Sequence, residues 1–346
     1  MNNTHNPQNG LSPASRKLNA ELRQLARLGS LSRTAKALLA GADPLDADAE
    51  GCTALMAAVE SNSDKHRLAI VKLLLPQSNP DATNARGDTA FTLAIRQKRL
   101  DCAKALLPQG IGIDHHPGRI GDWTTPLIIA VQTKNVEMVA FLLKHANPDI
   151  QVKSGNTALT TAFWSNFAEG AKLLFEKADL SKHDTPSSPL VFIAIGTAHD
   201  GDQELLDMAL AHGCNPHLSN IEGTSPFTRA AAWGSLNVLK AIYAKSKPSG
   251  QAWSKALMAA VLQTKNRSKL DDGMKQNIEF LCEHMDLDSR HCNRRTPFNF
   301  AQTQGCAAAA ALIKSLEARA AERLAIEEAS APSPSETSAS RMRMRM

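Results

Sequence analysis

Aromatic residues are scarce in this sequence: they form 4% of its 346 residues, with a single tyrosine. The strands of β-sandwiches and barrels are usually rich in aromatic and β-branched residues, so this scarcity argues against those folds. Hydrophobic residues nevertheless make up 43% of the chain, mainly as leucine and alanine, and charged residues make up 21%. This composition predicts a folded protein built from closely packed helices.

The sequence also lacks features that would indicate other classes of protein. Its six cysteines are widely spaced and form no Cys-x-x-Cys pair, which favours reduced thiols and a cytoplasmic location. No run approaches the roughly 18 apolar residues of a membrane span. The polar start has no apolar segment following a charged one, so we do not expect it to be a secretory signal peptide. A formal net charge of +5, spread along the chain, gives no case for nucleic acid.

A short motif recurs along the chain: Thr or Ser, then Ala or Pro, then Leu or Phe, with Ala five positions after the first residue. Its copies begin at Thr53, Thr89, Thr125, Thr157, Ser225 and Thr296, with weaker copies at Ser188 and Lys255. An apolar residue recurs seventeen positions after this anchor, at Leu106, Leu142, Leu174, Ile242 and Ile313. Each unit therefore predicts two short helices, the first capped by Thr or Ser and the second ending in apolar residues.

A turn signal follows the second helix in several units, as Asp43-Pro44, Asn79-Pro80, Asn147-Pro148 and Asn215-Pro216. Proline disfavours the helical conformation in the residue before it, so the second helix should end there. The polar segment that follows returns to the next anchor through glycine, at Gly51, Gly87, Gly155 and Gly223.

This pattern resembles the ankyrin repeat, whose units carry Gly-x-Thr-Pro-Leu; the histidine that commonly follows is absent here. The resemblance covers residues 18–316 and implies an all-α solenoid of about nine stacked helix-turn-helix hairpins with short β-turn fingers. Residues 1–17 are expected to be a disordered segment. Residues 317–346 are expected to pass from a charged helix former into a disordered tail.

The resemblance implies noncatalytic binding of another protein on a concave groove and its fingers, with no cofactor, metal or small-molecule substrate. We expect the contacts at the variable ends of the first helices and at the fingers, where all four tryptophans map. The expected partner-binding residues are Trp164, Trp233, Trp123, Trp253, Arg96, Gln97 and Gln132. Exposed indoles often dominate interface energy. The alternative is structural: Trp123 and Trp253 would lie over neighbouring fingers, and Trp164 would fill a gap.

Two clusters could hold a metal. Cys282, His284, His291 and Cys292 offer zinc-type ligands, but their spacing is wrong for the usual pairs, and Cys282 should face the core. Asp114, His115 and His116 lie together in a long finger, where histidines are usually only polar. For both clusters, a purely structural role explains the pattern better than metal binding does.

Two other functions stay open at this point. The chain could be an exported bacterial effector whose acid-free start is the export signal and whose repeats bind a host protein. It could also be an enzyme with catalytic groups in the degenerate units near residues 182–204 and 264–295. A pocket with converging titratable groups would distinguish the enzyme from a binding protein.

Overall fold

The computed structural model describes residues 12–107, 113–114, 124–153, 155–186, 189–197, 203–265, 267–285, 287, 292 and 294–330. The chain divides into two compact units, Met1–Leu190 and Val191–Met346. Within the described residues the regular structure is helical, with only isolated β-bridges such as Ala47 to Thr53 in one finger. The predicted all-α fold of helical hairpins is confirmed.

The first unit contains the helices α1 (Pro13–Arg27), α2 (Leu31–Leu39), α3 (Ala54–Val59), α4 (Arg67–Leu74), α5 (Ala90–Arg96), α6 (Leu100–Leu106), α7 (Pro126–Gln132), α8 (Val136–Leu142), α9 (Ala158–Trp164), α10 (Ala168–Phe175) and α11 (Leu180–His183). First helices stack on first helices, α3 on α5, α5 on α7 and α7 on α9, while α4 packs on α6 and α8 on α10.

The second unit contains α12 (Leu190–Thr197), α13 (Glu204–Ala211), α14 (Pro226–Trp233), α15 (Leu236–Ser246), α16 (Gly250–Leu262), α17 (Asp272–Glu283), α18 (Pro297–Thr303) and α19 (Ala307–Ser330). Here α14 packs on α16 and α16 on α18, and α15 packs on α17 and α17 on α19. No helix in the described ranges combines the length and the apolar character needed to cross a membrane.

The motif anchors cap the first helices as predicted. In each of six units the anchor hydroxyl accepts the N–H of the residue three positions later, at 3.2 to 3.4 Å, from Thr53, Thr89, Thr125, Thr157, Ser225 and Thr296. Thr92 and Thr160 stand where the family usually has histidine. Each bonds back to the anchor N–H, so the capping box is complete without the histidine.

The polar turns follow the sequence signals. At each Asx-Pro pair the side-chain oxygen accepts the N–H two residues later, in Asp43, Asn79, Asn147 and Asn215. The finger glycines have positive φ angles of 76° to 82°, at Gly51, Gly87, Gly155 and Gly223. Side chains rarely adopt this conformation, which explains why glycine recurs there.

The repeat positions form the core. The alanines five residues after the anchor are all 0% exposed: Ala58, Ala94, Ala130, Ala162, Ala230 and Ala301. The apolar residues of the second helices are also 0% exposed: Leu106, Leu142, Leu174, Ile242 and Ile313. Small alanines let the first helices approach closely, and the larger residues fill the space beneath them.

Helix starts differ from the sequence prediction in two places. Helix α1 begins at Pro13, with Ser12 as its N-cap, so residues 13–17 are helical although they were expected to be disordered. Helix α16 begins at Gly250, before the anchor Lys255, because lysine has no side-chain oxygen to cap a helix. Helix α19 continues to Ser330. The expected disorder of residues 1–11 and 331–346 concerns segments outside the described residues.

Candidate functional site

Trp164 and Trp233 are the exposed tryptophans of the described chain. Trp164 is the last residue of α9 and is 59% exposed, and Trp233 is the last residue of α14 and is 63% exposed. Two residues turn a helix by about 200°, so Trp164 points away from the side on which Ala162 is buried. The prediction that both indoles are exposed is confirmed.

The first-helix ends of the first unit, defined as Leu28, Glu60, Arg96, Gln132 and Trp164, hold equivalent positions in successive hairpins. Leu28 is 66% exposed, so this row has an apolar residue at each end. Leu28 was not among the expected contacts, although its place two residues after Ala26 in the first, degenerate unit is the equivalent repeat position. Gln132 is exposed, and Gln97, which follows Arg96 as the C-cap of α5, is half-buried.

Charges in this row are neutralised within the chain. The Nε of Arg96 donates to Oδ1 of Asp88 at 2.9 Å, and Arg27 pairs with Glu60 at 3.1 Å. Asp88 is only 4% exposed and also accepts from the Thr92 hydroxyl at 3.3 Å. Arg96 is therefore fixed against its own finger by a buried carboxylate, which reduces the charge that it presents to a partner.

Arg229 differs from Arg96 in its surroundings. It lies on α14 in the second unit, with its Cζ atom 4.8 Å from the centre of the Phe192 ring and 6.0 Å from that of Trp233. No ion pair joins it to a described residue, and its Nε is buried without a hydrogen-bond partner. Arg229 was not among the expected partner-binding residues. Its spacing four residues before Trp233 on one helix could have indicated the contact.

The structure contradicts the expected exposure of Trp253. This side chain is 9% exposed within α16, and its indole N–H donates to the carbonyl oxygen of Pro248 at 3.2 Å. The rings of Phe227 and Tyr243 lie 5.1 and 5.3 Å away, and His284 stacks on it at 5.2 Å with an angle of 6°. Because α16 starts before the anchor, Trp253 falls within a helix instead of on a finger. Trp123 lies outside the described residues.

The two cysteines of the candidate zinc cluster near the end of α17 are core residues. Cys282 and Cys292 are buried, and burial raises their pKa values to about 12 and about 11. Both thiols therefore keep their protons at neutral pH, as buried structural cysteines do. The His284 Nδ1 lies 2.8 Å from the carbonyl oxygen of Phe280 at the helix end. His291 lies outside the described residues.

Of the three candidate metal ligands in the long finger, Asp114 lies within the described residues. Its Oδ1 accepts the backbone N–H of Asn147 at 2.8 Å, which links two neighbouring turns. His115 and His116 lie outside the described residues. Among those described, no group of three or more His, Cys, Asp or Glu side chains is placed to hold a metal ion.

Thr157, His183 and Asp149 form a polar chain, of which His183 lies in the segment 182–204 that was considered for an active site. The Nδ1 of His183 is 2.7 Å from the Thr157 hydroxyl, and its Nε2 is 2.8 Å from Oδ1 of Asp149. The order resembles a nucleophile, base and acid. However, Thr157 and His183 are each 1% exposed, and the hydroxyl already caps α9. The chain of bonds ties two turns together and gives no substrate access.

Comparison with known families agrees with the hairpin geometry. A family model described as ankyrin repeats in three copies matches residues 22–117 and 114–184, and one described as ankyrin repeats in many copies matches residues 192–242. The chain belongs to the ankyrin repeat family. Ankyrin repeats indicate a protein–protein interaction scaffold, and the family is generally noncatalytic.

The individual relatives of this ankyrin-repeat chain match only part of it. The B-cell lymphoma 3 protein homolog of Mus musculus is 34% identical over 125 residues, which are 36% of this chain and 28% of that protein. The ankyrin repeat and SOCS box protein 11 of Homo sapiens is 34% identical over 113 residues, 32% of this chain and 33% of that protein. The chain thus spans about a third or less of each relative. These mammalian proteins give no support to the exported-effector alternative.

Proposed function

We propose that this ankyrin-repeat chain binds a partner protein through its exposed first-helix ends and fingers, with Trp164 in the first unit and Trp233 in the second as main contacts. The observation that carries this proposal is the exposure of both indoles, at 59% and 63%, in a chain with only four tryptophans. An exposed indole keeps a large apolar surface in water without packing contacts. A tryptophan buried in an interface, in contrast, often contributes about 2 kcal/mol or more to binding.

Other apolar side chains are exposed within each unit. Leu28 is 66% exposed at a first-helix end of the first unit. In the second unit Leu262, the last residue of α16, is 42% exposed, and Ile221 in a finger is 80% exposed. Scattered apolar residues are normal on protein surfaces, but these fall at the repeat positions that ankyrin proteins leave variable. A reducing cytoplasmic location belongs to this proposal and is supported by the free, mostly buried cysteines.

The test is affinity capture from the native lysate with quantitative detection of bound proteins. Trp164→Ala and Trp233→Ala are compared with the unaltered chain and with Leu39→Ala, a matched control that removes an 89% exposed apolar side chain from the end of a second helix. We expect a specific protein to be lost with one or both tryptophan variants and retained by the control.

The thermal melts of all variants are measured first, so that loss of binding is not confused with unfolding. An unchanged set of captured proteins for both tryptophan variants would contradict the proposal. A loss of binding that is equal in Leu39→Ala would show that the contact is nonspecific.

A further inference from the structure

The side chains of Phe192, Arg229 and Trp233 form what we name the Arg229 cluster, on α12 and α14 of the second unit. The guanidinium lies 4.8 Å from the Phe192 ring centre and 6.0 Å from the Trp233 ring centre. Both distances fall within the range of cation–π contact. The two rings hold a long flexible side chain in one orientation, which lowers the entropy lost when its donors bind a ligand.

The charge of this guanidinium is not balanced by any described carboxylate. Six other arginines of the described chain have acidic partners: Arg23 with Asp46, Arg27 with Glu60, Arg67 and Arg99 with Asp64, Arg96 with Asp88, and Arg267 with Asp271. Arg229 is half-buried and its Nε is buried without a hydrogen-bond partner. A partly desolvated, unpaired cation is a favourable place for an anion.

Gly196 leaves the space that the guanidinium occupies. It lies in α12, and a Cβ atom added there would be 2.9 Å from Nη2 of Arg229. Any side chain at residue 196 would therefore displace the end of Arg229. The cluster thus depends on a residue from each of two neighbouring first helices.

We propose that the Arg229 cluster binds the carboxylate of an Asp or Glu side chain of the partner protein, next to an apolar residue that contacts Trp233. A planar guanidinium matches a carboxylate with two parallel hydrogen bonds. The 63% exposed indole beside it supplies the apolar contact. This inference rests on the proposed function, since it names the chemistry of the partner that the second unit would bind.

The first experiment selects random displayed peptides on the full chain, after removing peptides that also bind the Arg229→Gln chain. We expect the selected peptides to share an Asp or Glu beside an apolar residue. Selected sequences without a common acid, or no peptide left after the removal step, would overturn the inference. Enrichment of phosphorylated or carboxyl-terminal peptides over internal acids, in libraries that include them, would also overturn the assignment to an acidic side chain.

The second experiment measures the dissociation constant of a selected peptide and of its Glu→Gln or Asp→Asn counterpart. Arg229→Gln should weaken binding of the acidic peptide by roughly tenfold to a hundredfold, as for a charge-assisted hydrogen bond. It should leave the amide peptide almost unchanged. An equal loss for both peptides would mean that Arg229 acts only by supporting the fold, and would overturn the inference.

Two further variants keep the test independent of folding. Gly196→Ala retains Arg229 and adds a residue of higher helix propensity, so the chain should stay folded while the acidic peptide binds more weakly. Arg229→Lys keeps the charge without the paired donors and should give a smaller loss than Arg229→Gln. If neither variant affects the acidic peptide, the inference fails.

The Trp233→Ala variant separates this inference from the proposed function. If peptides recovered without the removal step require Trp233 but bind the Arg229→Gln chain equally well, the binding surface stands and the carboxylate assignment is wrong. If those peptides bind both folded variants as well as the unaltered chain, both the surface and the assignment are wrong.

Discussion

At the scale of single residues, truncation of Trp253 and of Trp164 should lower the free energy of unfolding to very different extents. Trp253 is 9% exposed and contacts Phe227, Tyr243 and His284, so Trp253→Ala removes packing from three helices. We expect a loss of about 3 to 5 kcal/mol in the free energy of unfolding. Trp164→Ala is the matched control and should cost less than about 1 kcal/mol, since its ring is 59% exposed.

Urea denaturation followed by circular dichroism measures both variants. Equal destabilisation by the two substitutions would mean that Trp164 also packs against the core, and the proposed binding role would then lose its main support.

Asp149 should make stability depend on pH. Burial by itself would raise its pKa, but the hydrogen bonds from His183 and the Asp179 N–H, together with Lys182, hold it below the ordinary value of 3.8. Since the pKa is lower in the folded state, the contribution of the carboxylate is complete above the unfolded pKa and is lost as pH falls through the folded one. Asp149→Asn should therefore cost about 1 to 2 kcal/mol at neutral pH.

That cost should shrink as the pH falls below about 4, because the wild-type carboxyl then becomes protonated as well. Urea midpoints of the two proteins across this pH range measure the effect, with Glu137→Gln as a control at an exposed carboxylate. A cost that stays constant with pH would show that the ionised form of Asp149 is not what stabilises the turn.

Single side chains were predictable from the sequence where the repeat is regular. Trp164 follows an intact Thr-Ala-Leu anchor, so its exposure could be deduced from helix periodicity alone. Trp253 precedes the anchor Lys255, which lacks a capping oxygen. The helix therefore starts earlier, at Gly250, and includes Trp253. The contacts of His183 with Thr157 and of Arg229 with Phe192 join residues from different turns or helices, and no local pattern specifies such pairs.

At the scale of elements, the turns between paired helices contain residues with strained backbones. Lys98, directly after the cap of α5, has a φ of 58°, a left-handed conformation that side chains disfavour. Lys98→Gly should therefore stabilise the protein, by about 0.5 to 1 kcal/mol. The measurement is the urea midpoint at neutral pH.

The matched control for this prediction is Lys104→Gly, the same substitution within α6. There glycine loses helix propensity and should destabilise by about 1 kcal/mol. The opposite signs would establish that backbone conformation, and not removal of a lysine charge, determines the result. Destabilisation by both substitutions would contradict the assignment of strain to Lys98.

The elements themselves were largely predictable, because capping and burial each leave a local signal. A hydroxyl at the anchor, a buried alanine five residues later and an Asx-Pro turn specify most hairpins in the same register. The early start of α1 was missed because its first turn is polar, and only Ser12 and Pro13 indicate it. Helix α17 has its own local signal, since the Asp271 side chain accepts the N–H of Met274 and caps the helix.

At the scale of the whole molecule, stacked hairpins contact only their neighbours, so a local loss of packing should not spread far. Phe163 in α9 is 0% exposed and lies 5.9 Å from the ring of Phe175 in α10. Phe163→Ala should speed amide hydrogen exchange in α7 to α10 of the first unit. Exchange in α1 and α2, at the other end of this unit, should keep its original rate.

Hydrogen exchange followed by mass spectrometry tests this prediction. The control is Leu22→Ala, the same kind of truncation at the other end of the first unit. Leu22 in α1 is 0% exposed, and its truncation should speed exchange in α1 to α4 while α9 and α10 stay protected. If either substitution raises the exchange rate equally throughout the first unit, that unit unfolds as one cooperative body. The binding surface would then depend on distant core residues, and local effects of the tryptophan and Arg229 variants could not be read from nearest-neighbour packing alone.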